Sequence, residues 1–102
     1  MSLAQEHCEA TVPKLTDTEA EALLAQLSGW SIESGKLVKT FRFKDYYQTL
    51  AFVNASAFVS HREDHHPELL VTYDRVRVAY DTHSVDGLSR NDFICAARLD
   101  AL

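Results

Sequence analysis

The sequence predicts an α+β domain of order α-β-β-α-β-β-α, a four-stranded antiparallel sheet with three helices packed on one face. Three segments carry apolar residues at helical spacing behind a capping residue, and two pairs of short alternating segments are joined by turn residues. The length of 102 residues, 46% hydrophobic and 25% charged, suits one core and leaves no room for a second. Residues 1–15 read as a polar N-terminal lead-in and residues 16–102 as a single domain.

Thr16 and Glu19 form a capping-box pattern, and Ala20, Leu23, Leu24 and Leu27 supply an apolar stripe, so the first helix spans about 17–27 and stops near Gly29. Trp30-Ser31-Ile32 and Leu37 to Phe43 alternate on either side of Ser34-Gly35. Leu37, Phe41 and Phe43 fall on one face and Lys36, Thr40 and Arg42 on the other, a hairpin with one wet face. Asp45 can cap a helix running from Tyr46 to Arg62, which contains no Gly or Pro. Tyr47, Leu50, Val53 and Ala57 form one stripe on it and Phe52, Ala55 and Val59 another. Two accounts of this double stripe stand: a helix central to the core, or a surplus face, including Phe52 and Val59, that packs against another subunit.

Pro67 disfavours helical geometry at His66 and places the histidine pair at the passage from this helix into a strand. Leu69, Val71 and Tyr73 alternate, Asp74-Arg75 turns the chain, and Val76, Val78 and Tyr80 alternate again. Ser89 with Asp92 is a further capping pair, and Phe93, Ile94, Ala96, Ala97 and Leu99 mark the last helix.

A net charge of −5 and no clustering among the ten Lys and Arg argue against a nucleic-acid ligand. The apolar stretches are shorter than the ~20 residues a membrane span needs. Cys8 and Cys95 without a disulfide framework or signal peptide fit a reduced, cytoplasmic protein. His7-Cys8-Glu9 resembles half of a metal site and lacks a second cysteine pair to complete it.

The chemistry concentrates in His65-His66-Pro67 and His83. Strands of similar length joined by a tight turn put the start of the first beside the end of the second, so these histidines face one site. Imidazole both donates and accepts protons near neutral pH, which points to proton transfer or to a metal. A helix continued through His65 would set His61 and His65 on one face, and with His83 they would make a three-histidine zinc site. The zinc-protease pattern requires Glu directly after the first histidine, whereas Arg62 stands there and Glu63 follows out of phase. The expected metal set is therefore none, and a His61/His65/His83 metal-dependent hydrolase is the alternative.

His65-His66-Pro67, Tyr73 six positions on, Thr82-His83, Gly87-Leu88-Ser89 and Asp92 together resemble the signature of the pterin-4a-carbinolamine dehydratases. The element order agrees with that family's, and the resemblance runs from the first helix onward. It departs in two places. His61 stands where the family commonly has Glu, one helical turn before the first histidine, and Val85 stands where some relatives have cysteine.

The resemblance implies dehydration of a 4a-hydroxytetrahydropterin, 4a-hydroxytetrahydrobiopterin in the family, to the quinonoid dihydropterin. That step recycles the pterin of an aromatic amino acid hydroxylase, to which the protein would be functionally coupled, and needs neither cofactor nor metal. It implies His65 and His83 as acid and base, with His66 the better candidate for holding substrate. Residues beside them, His61, Pro67 and Leu69, complete the expected binding set, with ordinary core packing the stronger account of Tyr73. Asp92 either orients His83 or caps the last helix, and one carboxylate can do both. Family members associate as homodimers or homotetramers, and some bind a homeodomain transcription factor, so a non-catalytic interaction module is a further alternative.

Overall fold

In the computed structural model, which describes residues 2–102, both predicted hairpins form and join into one antiparallel sheet. β1 (Ser31–Glu33) and β2 (Lys36–Arg42) turn about Ser34 and Gly35, whose positive φ values of 51° and 77° match a two-residue type I′ loop. β3 (Glu68–Val71) and β4 (Arg75–Tyr80) make the second hairpin, and β2 pairs with β4 in the middle, giving the order β1-β2-β4-β3. On one face Leu37, Val76, Val78 and Tyr80 are fully buried. On the other, Val38 lies opposite Ala79, flanked by ion pairs Lys36–Glu68 at 3.1 Å and Arg77–Glu33 at 3.8 Å.

The capping signals hold. α1 (Asp17–Leu24) starts with reciprocal bonds between Thr16 and Glu19 and relaxes into turns through Leu27. α2 (Tyr46–Glu63) starts where Asp45 accepts the Gln48 N–H at 2.9 Å, and α3 (Arg90–Asp100) starts where the Asp92 carboxylate accepts the Ser89 N–H at 3.0 Å. Ala20 and Leu23 of α1, Phe52 and Val59 of α2 and Phe93, Ile94 and Leu99 of α3 meet the inward sheet face in one cluster. Burial of each such side chain contributes about 1.5–3 kcal/mol relative to exposure.

Three expectations are corrected. The second stripe of α2 is not the outward one: Phe52 and Val59 are buried, while Tyr47 is 85% and Phe58 65% exposed. The buried face also carries Thr49 and Ser56: the Ser56 hydroxyl donates to the Val53 carbonyl of its own helix at 2.7 Å, and the Thr49 hydroxyl lies 2.9 Å from the Asp45 carbonyl at the helix start and 3.0 Å from the Tyr73 carbonyl in the β3–β4 turn. With their polarity satisfied by backbone carbonyls, these residues pack as small apolar ones. Tyr73 is no core residue. Val71 pairs with Val76, so the turn is made by Tyr73 and Asp74, and the Tyr73 ring stacks outside on Tyr46 with centroids 6.2 Å apart. Finally, the lead-in is not polar throughout: Leu3 of a short 3-10 turn (Leu3–Gln5) inserts into the core against α3.

Candidate active site

α2 ends in a way that sets the site. Asp64 adopts the left-handed conformation at φ 49°, its N–H donates to the His61 carbonyl at 3.4 Å, and the His65 N–H donates to the Ser60 carbonyl at 3.2 Å, which together form a Schellman closure. The helix therefore stops at Glu63 and His65 leaves its axis. His61 stays on the outward, exposed side of α2, so His61 and His65 do not share a helical face. The three-histidine zinc set is not assembled, and among the described residues no three His, Cys, Asp or Glu side chains converge to hold a metal.

At the other end of the hairpin, Thr82 and Gly87 pair across a 3-10 turn (His83–Val85), with the Thr82 N–H donating to the Gly87 carbonyl at 2.8 Å. That bridge clamps the turn from which His83 projects. His65, His66 and His83 all line one cleft of about 670 Å³, with Arg62, Glu63, Asp64, Asp81, Thr82, Ser84 and Asn91. Pro67, Leu69 and His61 are not in its lining. Leu69 instead packs against the core, because continued antiparallel pairing turns β3 inward directly after Pro67.

The histidines differ sharply in their surroundings. His65 Nε2 lies 2.6 Å from Asp92 Oδ1, and its ring stacks on Tyr80 with centroids 5.8 Å apart and planes 5° from parallel. Asp92 is fully buried, and its second oxygen accepts from Thr82 Oγ1 at 2.8 Å as well as from the Ser89 N–H. Asp92 thus caps α3 and orients a histidine at once, but the histidine is His65 and not His83. Both of its oxygens are taken, while His83 is 94% exposed and faces Asp81, 3.6 Å away. With Nε2–H donated to Asp92, Nδ1 of His65 is the nitrogen left to exchange protons.

Glu63 sits behind the cleft with its side chain 1% exposed. Burial pushes its carboxyl up, but the Cys8 N–H at 2.8 Å, His7 and Arg98 outweigh burial and hold it below the usual carboxylate range. Tyr80 carries a buried hydroxyl with no hydrogen-bond partner among the described residues, and burial pushes its ionisation far above the ordinary value. Thr82 and Tyr80, which hold Asp92 and His65, have no site role in the sequence reading, and Ser89 figures there only as the cap of the last helix, although Thr82 and Ser89 lie within the recognised motif.

A family model described as pterin 4 alpha carbinolamine dehydratase matches residues 13–102. The chain belongs to that family. A relative from Nitrosomonas europaea, provisionally named a pterin-4-alpha-carbinolamine dehydratase, is 60% identical over 96 residues, covering 93% of this chain and 85% of the relative. One of the same provisional name from Stenotrophomonas maltophilia is 53% identical, covering 98% and 90%. Among solved structures, a transcriptional coactivator/pterin dehydratase from Brucella melitensis superposes with a TM-score of 0.83 at 32% identity, covering 86% of this chain and 96% of that one. A pterin dehydratase-like protein identified as a RuBisCO assembly factor in the alpha-carboxysome gives 0.64 at 28% identity, covering 72% and 88%. The histidine motif of this chain falls on the cleft just described, and His61 falls outside it.

Proposed function

We propose that this protein dehydrates 4a-hydroxytetrahydrobiopterin to quinonoid dihydropterin and water. The observation that carries the reading is the convergence of His65, His66 and His83 on one cleft, with His65 held in a defined tautomer by buried Asp92. One protonated imidazole donates to the C4a hydroxyl, the C–O bond breaks, and water leaves. The C4a–N5 double bond forms as a second imidazole takes the N5 proton. The two transfers balance, so the net reaction is loss of water with no electron acceptor. His65 and His83 form this acid–base pair, exchanging roles between the two faces of C4a, and His66 holds the substrate. Each well-placed acid or base is worth roughly 10²–10⁴ in rate.

The test is to generate the hydroxypterin with an aromatic amino acid hydroxylase and follow its ultraviolet decay. Faster decay with the protein supports the enzyme and its coupling to the hydroxylase; equal decay leaves a binding module of the kind that the coactivator and assembly-factor descriptions of its structural neighbours suggest for those proteins.

The outward face of α2, with Tyr47, Leu50 and Phe58 exposed, supports a homo-oligomer, tetramer ahead of dimer. Light scattering should give a multiple of 11.5 kDa. Phe58→Asp should lower that mass while leaving the fold intact, whereas an unchanged mass would move the interface elsewhere. Cys8 and Cys95 as free thiols 3.5 Å apart fit a reducing, cytoplasmic setting, and no helix of the described residues is long and apolar enough to cross a membrane.

A further inference from the structure

Part of the cleft wall comes from a segment that precedes the family match. Cys8, Glu9, Ala10 and Val12 line the cleft beside the histidines, whereas the matched residues begin at 13. This segment is fixed in register by two buried polar side chains. Asn91, buried on α3, accepts the Glu9 N–H at 3.1 Å and donates its own amide to the Glu9 carbonyl at 2.8 Å, satisfying both backbone groups of one residue as a neighbouring strand would. Glu63 accepts the preceding N–H, that of Cys8. Upstream, Glu6 forms a two-pronged pair with Arg90 at 2.7 and 2.8 Å.

Such directional bonds set where Glu9 stands, which apolar packing alone would not do. The Glu9 side chain is left free: it is exposed, and its carboxylate has no hydrogen bond or ion pair among the described residues. Of the other acids in the wall, both oxygens of Glu63 are taken and Asp81 faces His83; Asp64 is exposed and unpaired among the described residues, but its backbone is committed to the left-handed closure of α2 rather than to the segment 9–12.

A pterin presents an aminopyrimidinone edge with an exocyclic amino group and an adjacent ring N–H, two parallel donors that fit one carboxylate. We infer that residues 9–12 form the pterin-recognising wall of the cleft, with the Glu9 carboxylate accepting the amino and ring N–H donors and Asn91 acting as the positioning residue. The identity of the ligand rests on the dehydratase reading above.

The experiment measures dehydration kinetics for wild type, Glu9→Gln and Asn91→Ala, with calorimetric binding of 7,8-dihydrobiopterin and a thermal melt for each. Glu9→Gln should raise KM and the dihydropterin Kd about tenfold or more, since a hydrogen bond to a charged group is lost, while kcat stays within about twofold. Asn91→Ala should shift KM in the same direction even at temperatures well below its melt; a merely structural asparagine would lower the melting temperature and leave KM in place. If wild type accelerates dehydration and neither variant moves KM or Kd, the inference fails and the dehydratase stands. If wild type does not accelerate dehydration yet binds dihydropterin in a Glu9-dependent way, the catalytic reading fails and the inference stands. Absence of both activity and binding overturns both.

Discussion

His65 and His83 line the same cleft, yet one is part of the folded core and the other stands in solvent. The His65 side chain is 12% exposed, hydrogen-bonded to a carboxylate with no exposure and stacked on a buried tyrosine ring. The His83 side chain is 94% exposed and makes no hydrogen bond among the described residues, with Asp81 3.6 Å away, although its backbone is clamped by the Thr82–Gly87 bridge. Folding therefore orients one imidazole completely and delivers the other only to the right neighbourhood. On the proposed acid–base mechanism, the cost of ordering His65 would be met during folding, whereas that of His83 would fall on substrate binding, at about 0.5–1.5 kcal/mol for ordering one flexible side chain.

The comparison is broken most directly at its rigid end. His65→Ala should slow dehydration by roughly 10²–10⁴. Asp92→Asn should follow with a loss of roughly 10² or more, because an amide that donates toward Nε2 would favour the wrong tautomer. Asp92→Ala should also destabilise the fold by about 2–4 kcal/mol, since it strips Thr82, the Ser89 N–H and His65 of one shared acceptor. Turnover paired with denaturant melts reads both effects, and an Asp92→Ala protein as stable as wild type would mean that this buried network contributes nothing.

At the loose end, activity and stability should separate. His83→Ala should cost roughly 10² in rate and change stability by no more than about 0.5 kcal/mol, because nothing packs on the ring. A large drop in melting temperature would show that His83 is not the solvent-facing group described above, and near wild-type turnover would remove it from the acid–base pair.

The difference between these histidines also marks what the sequence could and could not reveal. Their convergence was legible because antiparallel pairing is a local rule: a short turn brings residues 65–66 beside 82–83 whatever else the chain does. The helix starts were legible for the same reason, each being a contact three residues long, Thr16 with Glu19, Asp45 with Gln48 and Ser89 with Asp92. The partner of Asp92 was not. Choosing His65 over His83 depends on how α3 docks and on a left-handed Asp64, a place where glycine would have given a signal and aspartate gives little. The N-terminal wall was equally hidden, since its bonds join residues such as Glu9 and Asn91 that are 82 positions apart and leave no periodicity. On α2 both stripes looked apolar, and the buried Thr49 and Ser56, whose hydroxyls are satisfied by backbone carbonyls, mark the inner face.

A smaller effect belongs to acid pH, again on the buried side of the cleft. Glu63 has its folded-state carboxyl held below the unfolded value by Cys8, His7 and Arg98 despite burial. Its contribution to stability is therefore present above the unfolded value of about 4.3 and is lost as pH falls through the lower folded one. Glu63→Gln should flatten the stability–pH curve below about pH 4.3 relative to wild type, as read by melts across the acid range. Parallel curves for the two proteins would mean that the carboxylate gains nothing from its partners.

The smallest effect sharpens the comparison by testing a third histidine. His61 lies four residues before His65 and would share its face if α2 continued, but the helix closes at Glu63 and His61 remains exposed on the outer side, outside the cleft lining. It has neither the locked geometry of His65 nor the clamped backbone of His83 at the cleft mouth. His61→Ala should change turnover by less than about twofold, as expected of a group outside the reacting geometry, and stability by no more than about 0.5 kcal/mol, as for an ordinary surface position. A zinc centre built on His61, His65 and His83 requires the opposite: equal losses on removing any of the three, and inactivation by a chelator with recovery on adding zinc. A His61→Ala loss as large as that of His83→Ala, together with chelator sensitivity, would show that α2 extends beyond Glu63 in the working protein and that both histidine environments described here are rearranged by a metal.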